Sequence, residues 1–249
     1  MNQTLEKMRQ MRLSGMARAF QQTIESGKNE RFTPDEMISH LVESEWDERY
    51  NRKLDRTLKQ ARFRYKSNLE ELSLDDGRFD KNQVLRLASC DFVRRNENVI
   101  ITGSTGIGKS YLASALGHQA CSLGFKALYQ HSNKLFARLK IAKADGSILK
   151  ELSKIEKQHV LIIDDFGIQP LDGQSRSMML EIIEDRHGKA STIITSQVPV
   201  ALWHEVIGEN TIADAILDRL VHDAQRIEMT GESMRKQKSH NQQIKHPLN

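Results

Sequence analysis

The chain has 249 residues, enough for one α/β domain and a smaller helical one, and its 37 Lys and Arg against 33 Asp and Glu leave a net charge of only +4. Two cysteines, Cys90 and Cys121, argue against a disulfide framework or a CxxC pair, and with nine scattered histidines they predict no metal site built from His or Cys. There is no apolar signal core at the amino terminus and no run near the ~20 apolar residues of a membrane span, so a cytoplasmic protein is expected.

Leu5 to Ile24 has helical character, interrupted near Ser14 and Gly15. Thr33-Pro34-Asp35-Glu36 starts a long helix, with Thr33 as cap, Pro34 in the first helical position and Glu36 closing a capping box. Along it Trp46, Tyr50, Leu54, Leu58, Ala61 and Tyr65 recur every three or four residues, a stripe that predicts a packed side. Between Arg49 and Lys66 lie eight basic residues, Arg49, Arg52, Lys53, Arg56, Lys59, Arg62, Arg64 and Lys66, against the single acid Asp55, a local charge of +8 − 1 = +7. Charge runs that are merely solvated mix both signs, whereas this one suits a phosphate backbone. No base-reading motif accompanies it, so duplex DNA bound largely without regard to sequence is the expected partner. Residues 1–68 read as a small all-helical domain, and 69–95, with the turn-like SLDDGRFD at 73–80, as a linker.

From residue 96 to 232 apolar strands alternate with helices. Strands are predicted at 98–102, 127–131, 159–164 and 191–196, with 225–229 as an edge, and Gly124 ends the helix that runs to about Ser122. Such alternation implies a parallel sheet with helices on both faces. Residues 233–249 form a basic tail without apolar periodicity.

Gly103, Ser104, Thr105, Gly106, Ile107, Gly108, Lys109 and Ser110, with Tyr111 behind them, match GxxxxGK[ST] between a strand and a helix. The glycines let backbone amides turn toward a phosphate, Lys109 would reach the β- and γ-phosphates of ATP, and the Ser110 hydroxyl would ligate Mg²⁺. Downstream, HVLIIDDFG contains three spellings at once: a kinase DFG, a GTPase DxxG and a Walker B strand. The kinase reading lacks a GxGxxG loop and an HRD loop, and the GTPase reading lacks an NKxD segment. The Walker B reading stands, with Asp164 holding Mg²⁺ directly or through water and Asp165 polarising the attacking water.

GSTGIGKSYLASALG, LIIDDFG, TIITSQVP, ILDRL and GESMRK together resemble the AAA+ ATPases of the DnaC/IstB type, and most of all the IstB proteins that help insertion-sequence transposases. The likeness covers nearly the whole chain, including the amino-terminal MRLSGMARAF. It implies an α/β AAA+ P-loop NTPase fold with a parallel five-stranded sheet behind a small helical domain. It further implies a sensor 1 residue at Ser196 or Gln197, with Gln197 preferred, an arginine finger at Arg219 acting in a neighbouring subunit, and a sensor 2 residue at Arg235. The expected protein is an ATPase that oligomerises on DNA with shared sites and assists a cognate transposase. A DnaC-like helicase loader and a P-loop small-molecule kinase are the alternatives.

Overall fold

The computed structural model describes residues 2–27, 32–72 and 77–234, which divide into two compact units with the boundary between Thr57 and Leu58. That boundary falls inside the long helix, eleven positions before the expected end of the helical domain at residue 68.

The first unit holds α1 (Asn2–Gln10), α2 (Ser14–Glu25) and the greater part of α3 (Pro34–Ala61). The start of α3 is the predicted capping box: Thr33 Oγ1 accepts from the Glu36 amide at 3.3 Å, and Glu36 Oε2 accepts from the Thr33 amide at 2.8 Å. Helix α2 is held from across the unit by Glu45, which is buried and accepts the amides of Gly15 (2.8 Å) and Met16 (3.2 Å), donors that a helix start leaves without partners. Burial alone would raise the Glu45 carboxyl, but Arg49 and these two amides outweigh it and hold it below the usual glutamate range. The packed side of α3 therefore runs through Leu41 and Glu45. The predicted stripe is corrected at its amino-terminal half: Trp46 is 74% exposed and Tyr50 48% exposed, one helical step away from the packed side.

The second unit opens with the last turn of α3 and holds two short helices inside the stretch expected as a linker, α4 (Lys81–Ala88), whose first amides are capped by the Asp80 carboxylate, and α5 (Asp91–Arg94). It is built on one five-stranded sheet of order β2-β3-β4-β1-β5, all parallel: β1 (Val99–Gly103), β2 (Ala127–His131), β3 (Val160–Phe166), β4 (Ser191–Ser196) and β5 (Gln225–Met229). Val160 to Ile163 have no exposure at all, as expected for a strand covered on both faces. Ile162 faces α6 (Lys109–Ser122), where a Cβ on Gly117 would come within 2.7 Å of its Cδ1 and 2.5 Å of the Phe63 ring. Only glycine admits so close an approach. Leu161 and Ile163 point the other way, into the core formed with α7 (Ser132–Ala144), α8 (Ile148–Glu156), α9 (Gly173–Arg186), α10 (Trp203–Ile207) and α11 (Asn210–Val221).

At its carboxyl end β3 leaves its register with β4 between Ile163 and Phe166, and Asp165 takes a left-handed conformation with φ +58°. This bulge separates the two acids. Asp164 stays in the sheet with no exposure, while Asp165 turns out of it.

Candidate nucleotide site

The carboxyl ends of β1, β3 and β4 meet at one side of the sheet, the position where parallel α/β sheets bind ligands. Gly103 ends β1, and Gly103, Gly106 and Gly108 all adopt positive φ (149°, 81° and 113°) in the turn that leads into α6. This turn carries the whole predicted segment from Gly103 to Tyr111. The Lys109 ammonium folds back onto the Gly103 and Ser104 carbonyls at 2.7 and 2.8 Å. Burial depresses its pKa, and Asp165 and Asp164 oppose the shift.

Asp164 is tied on both oxygens. Tyr129, from β2, donates its hydroxyl to Oδ2, and Thr195, from β4, donates to Oδ1 at 2.5 Å. The same Thr195 oxygen accepts the Asp165 amide at 3.0 Å, so one β4 hydroxyl fixes both acids. Burial and the neighbouring Asp164 both push the Tyr129 phenol upward, which keeps it a donor. Asp165 lies 3.4 Å from His131 Nε2.

Asp165, Lys109, Ser110, Tyr111 and Gln197 line a single cleft of about 500 Å³, a volume suited to a nucleotide. Gln197 reaches across it, its Oε1 accepting from Thr105 Oγ1 at 2.5 Å. Ser196 is instead fully buried and donates to the Phe166 carbonyl, which leaves Gln197 as the residue of the TSQ segment that faces the cleft. Ser110 and Asp164 supply hard oxygen ligands of the kind Mg²⁺ takes, and the glycine turn leaves space for phosphate, so the residues present fit both ATP and Mg²⁺.

Two arginines line the cleft that sequence reasoning did not bring there. Arg64, expected on the basic face of the helix, has its Nη1 3.4 Å from Asp164 and 3.5 Å from Asp165. Arg78, from the segment expected to be a linker, is buried and donates to the Ile107 carbonyl inside the P-loop at 3.0 Å. Converging ends of adjacent parallel strands could have pointed to Tyr129 and Thr195. No local pattern points to Arg78.

Arg219 stands apart from this cleft. It lies in the last turn of α11, and its Nη2 pairs with Glu184 at 3.2 Å, rather than with either nearby acid, Asp218 or Asp223. The carbonyls of Arg219 and Leu220 accept from Asn98, just before β1, so Arg219 lies at the amino-terminal end of the sheet and the P-loop at the opposite end. Arg235 lies outside the described residues, as does most of the basic tail.

Of the remaining basic residues, Arg49 pairs with Glu45 at 2.7 Å, and Arg52 pairs with Glu48 at 3.1 Å and donates to Ser14 at 2.6 Å. Lys53, Arg56, Lys59, Arg62 and Lys66 are exposed and, among the described residues, have no acidic partner. No described helix is long and apolar enough to cross a membrane.

The profile of the family of IstB-like ATP binding proteins matches residues 6–242. An insertion sequence ATP-binding protein of Sinorhizobium fredii is 44% identical over 94% of this chain and 96% of its own. The ATP-binding protein of insertion sequence IS21 of Pseudomonas aeruginosa is 35% identical over 80% of this chain and 76% of its own. Among solved structures, DnaI matches with TM-score 0.59 at 23% identity over 71% of this chain and 94% of that chain, and AMPPCP-bound DnaA from Aquifex aeolicus with 0.56 at 15% identity over 75% and 57%. The fold is that of an AAA+ P-loop NTPase.

Proposed function

The chain belongs to the IstB-like ATP binding protein family and is a P-loop ATPase, and from that premise we propose that it binds duplex DNA, assembles on it through shared ATP sites and assists a cognate transposase. The names of its relatives, ATP-binding proteins of insertion sequences, support the transposition context. The observation that carries the shared-site reading is the position of Arg219. β1 separates it from its own P-loop by about 16 Å, at ~3.3 Å per residue over the five residues Val99–Gly103, beyond the reach of its side chain. A guanidinium so placed cannot serve its own chain's nucleotide, which supports a role at a neighbour's.

In this reading the amides of the Gly103–Ser110 turn hold the phosphates, and Lys109 exchanges the Gly103 and Ser104 carbonyls for phosphate oxygens. Ser110 and Asp164 are the residues that would hold Mg²⁺, which when bound supplies positive charge beside the triphosphate. Asp165 accepts the proton of the attacking water, with Gln197 orienting that water from the other wall of the cleft. Tyr129 and Thr195 hold Asp164 in place and touch no substrate. The exposed cations Lys53, Arg56, Lys59, Arg62 and Lys66 follow the DNA backbone, and Arg49 and Arg52 add to the positive field while bound to their glutamates.

The test is partner capture in the presence of ATP and duplex DNA, with the full chain as bait. An insertion-sequence transposase should be retained, and retention should fall in a Lys109→Ala variant. Retention of a replicative helicase in place of the transposase would overturn this reading.

A further inference from the structure

Asp164 and Asp165 have a guanidinium between them, and it comes from a part of the chain about a hundred residues away. Arg64 Nη1 sits 3.4 Å from Asp164 Oδ2 and 3.5 Å from Asp165 Oδ2. The P-loop ammonium does not take this place, because Lys109 is bonded to the Gly103 and Ser104 carbonyls. Nor is Arg64 there as a loose surface side chain. Helix α3 ends at Ala61, Arg62 turns the chain with φ +57°, and Phe63 is set into the close approach that Gly117 allows on α6. Tyr65 then packs near Tyr111, ring centroids 6.0 Å apart, and the Arg64 guanidinium lies 5.4 Å from the Tyr65 ring centroid. The backbone on each side of Arg64 is thus fixed against α6, and its side chain is aimed at the acids.

We propose that Arg64 is a built-in counter-cation of the acidic pair, which competes with the divalent metal for Asp164 and so raises the metal concentration that the nucleotide site requires. The proposal rests on the reading of Asp164 as a metal-holding residue. A divalent ion bound by a carboxylate oxygen sits about 2.1 Å from it, and a guanidinium at the same oxygen would then be a like charge within about 5 Å. One of the two has to leave. The side chain of Arg64 is 40% exposed, and its contacts to the acids are at the long limit of ion pairing, so it has both room and slack to move. Without it, Asp164 keeps the neutral hydroxyl donors of Tyr129 and Thr195, Asp165 keeps His131 at 3.4 Å, and the buried lysine beside them already has partners. The acid pair then holds a cation more readily.

Arg64 touches the acids and competes for them, so its removal strengthens metal binding, the opposite of what removing a phosphate ligand would do. Mn²⁺ is the probe, counted by the electron paramagnetic resonance signal of the free ion, with the full-length chain and no nucleotide. Arg64→Gln should bind Mn²⁺ roughly tenfold more tightly than the parent chain, as removal of one partly screened like charge implies. The gain should vanish in the Arg64→Gln, Asp164→Asn double variant. With a fluorescent ATP analogue, the Mg²⁺ concentration that half-saturates metal-dependent binding should fall by a similar factor. Arg64→Met, which keeps the aliphatic stem against Tyr65, serves as a second variant and should behave as Arg64→Gln does. Unchanged Mn²⁺ affinity in both variants, with metal-dependent nucleotide binding intact, overturns the competition and spares the metal site. Weaker analogue binding at every Mg²⁺ concentration would make Arg64 a phosphate ligand and likewise overturn it. If no protein binds Mn²⁺ even with nucleotide present, the reading of Asp164 itself falls.

Discussion

Asp165 occupies a position where backbone and chemistry make the same demand. Its φ of +58° lies in the left-handed region, which disfavours most side chains and which Asp, Asn and Gly tolerate best. A longer glutamate would reach further into the cleft but would gain nothing in that conformation, which gives a physical reason for an aspartate here. The same argument supplies a clean variant: Asp165→Asn keeps the conformation, the size and the amide bond to Thr195 but cannot accept a proton. ATP binding should be nearly unchanged while turnover falls about a hundredfold or more, measured by phosphate release beside analogue binding. Near-normal turnover would assign the proton to another group. At this scale the sequence is most readable where function is local. The P-loop and the acid pair are contiguous strings whose spacing alone announces their geometry. Arg64 and Arg78 are not, because packing on α6 brings the first to the acids and pairing of the Thr230 amide with the Arg78 carbonyl fixes the second beside the P-loop. Eight cations in a run of eighteen residues conceal that one of them faces the nucleotide site.

The long helix α3 shows the same mixture within one element. Its start is legible because a capping box is a four-residue code. Its packed side is not, since two apolar rows run along it, one through Leu41 and one through Ile38, Val42, Trp46 and Tyr50, and only the first is covered among the described residues. What decides between them is a polar group: Glu45, buried under the start of α2, fixes that side inward. The strands raise no such ambiguity, because a run such as Val160 to Ile163 is apolar on both faces and needs no choice of side. The exposed cations of α3 carry a quantitative expectation. Arg49 and Arg52 already answer to glutamates, so the salt-sensitive part of binding should come mainly from Lys53, Arg56 and Lys59. Replacing these three with Gln should weaken binding to unrelated duplexes about equally. It should also reduce the slope of log affinity against log salt by roughly 2 to 3, at about 0.9 for each phosphate that is no longer neutralised. Isotherms at several salt concentrations measure it, and a slope equal to the parent's would remove this helix from the DNA interface.

At the scale of the molecule, a parallel sheet has two ends, and in the proposed reading this one carries half of an active site at each. The P-loop, Asp164 and Asp165 lie at the carboxyl end, and Arg219 lies at the amino end beside Asn98. No bending of one chain brings them together without breaking β1, so the shared-site proposal requires the two halves to meet between copies, in a head-to-tail contact. That geometry fixes the outcome of a mixing experiment. Arg219→Ala alone and Lys109→Ala alone should each be inactive, the first because every site lacks a finger and the second because every site lacks its phosphate-binding lysine. In an equal mixture that has exchanged subunits, a site is whole when an Arg219→Ala subunit supplies the P-loop and a Lys109→Ala neighbour supplies the arginine. Each choice has a chance of one half, so activity should recover to about a quarter of the unmutated level per site. The recovery should peak near equal proportions and vanish at either extreme. Were Arg219 to act within its own chain, no proportion would restore activity, since no single chain in the mixture carries both residues. An unresponsive mixture, with exchange verified by fluorescence transfer between labelled subunits, would therefore return Arg219 to a structural partner of Glu184.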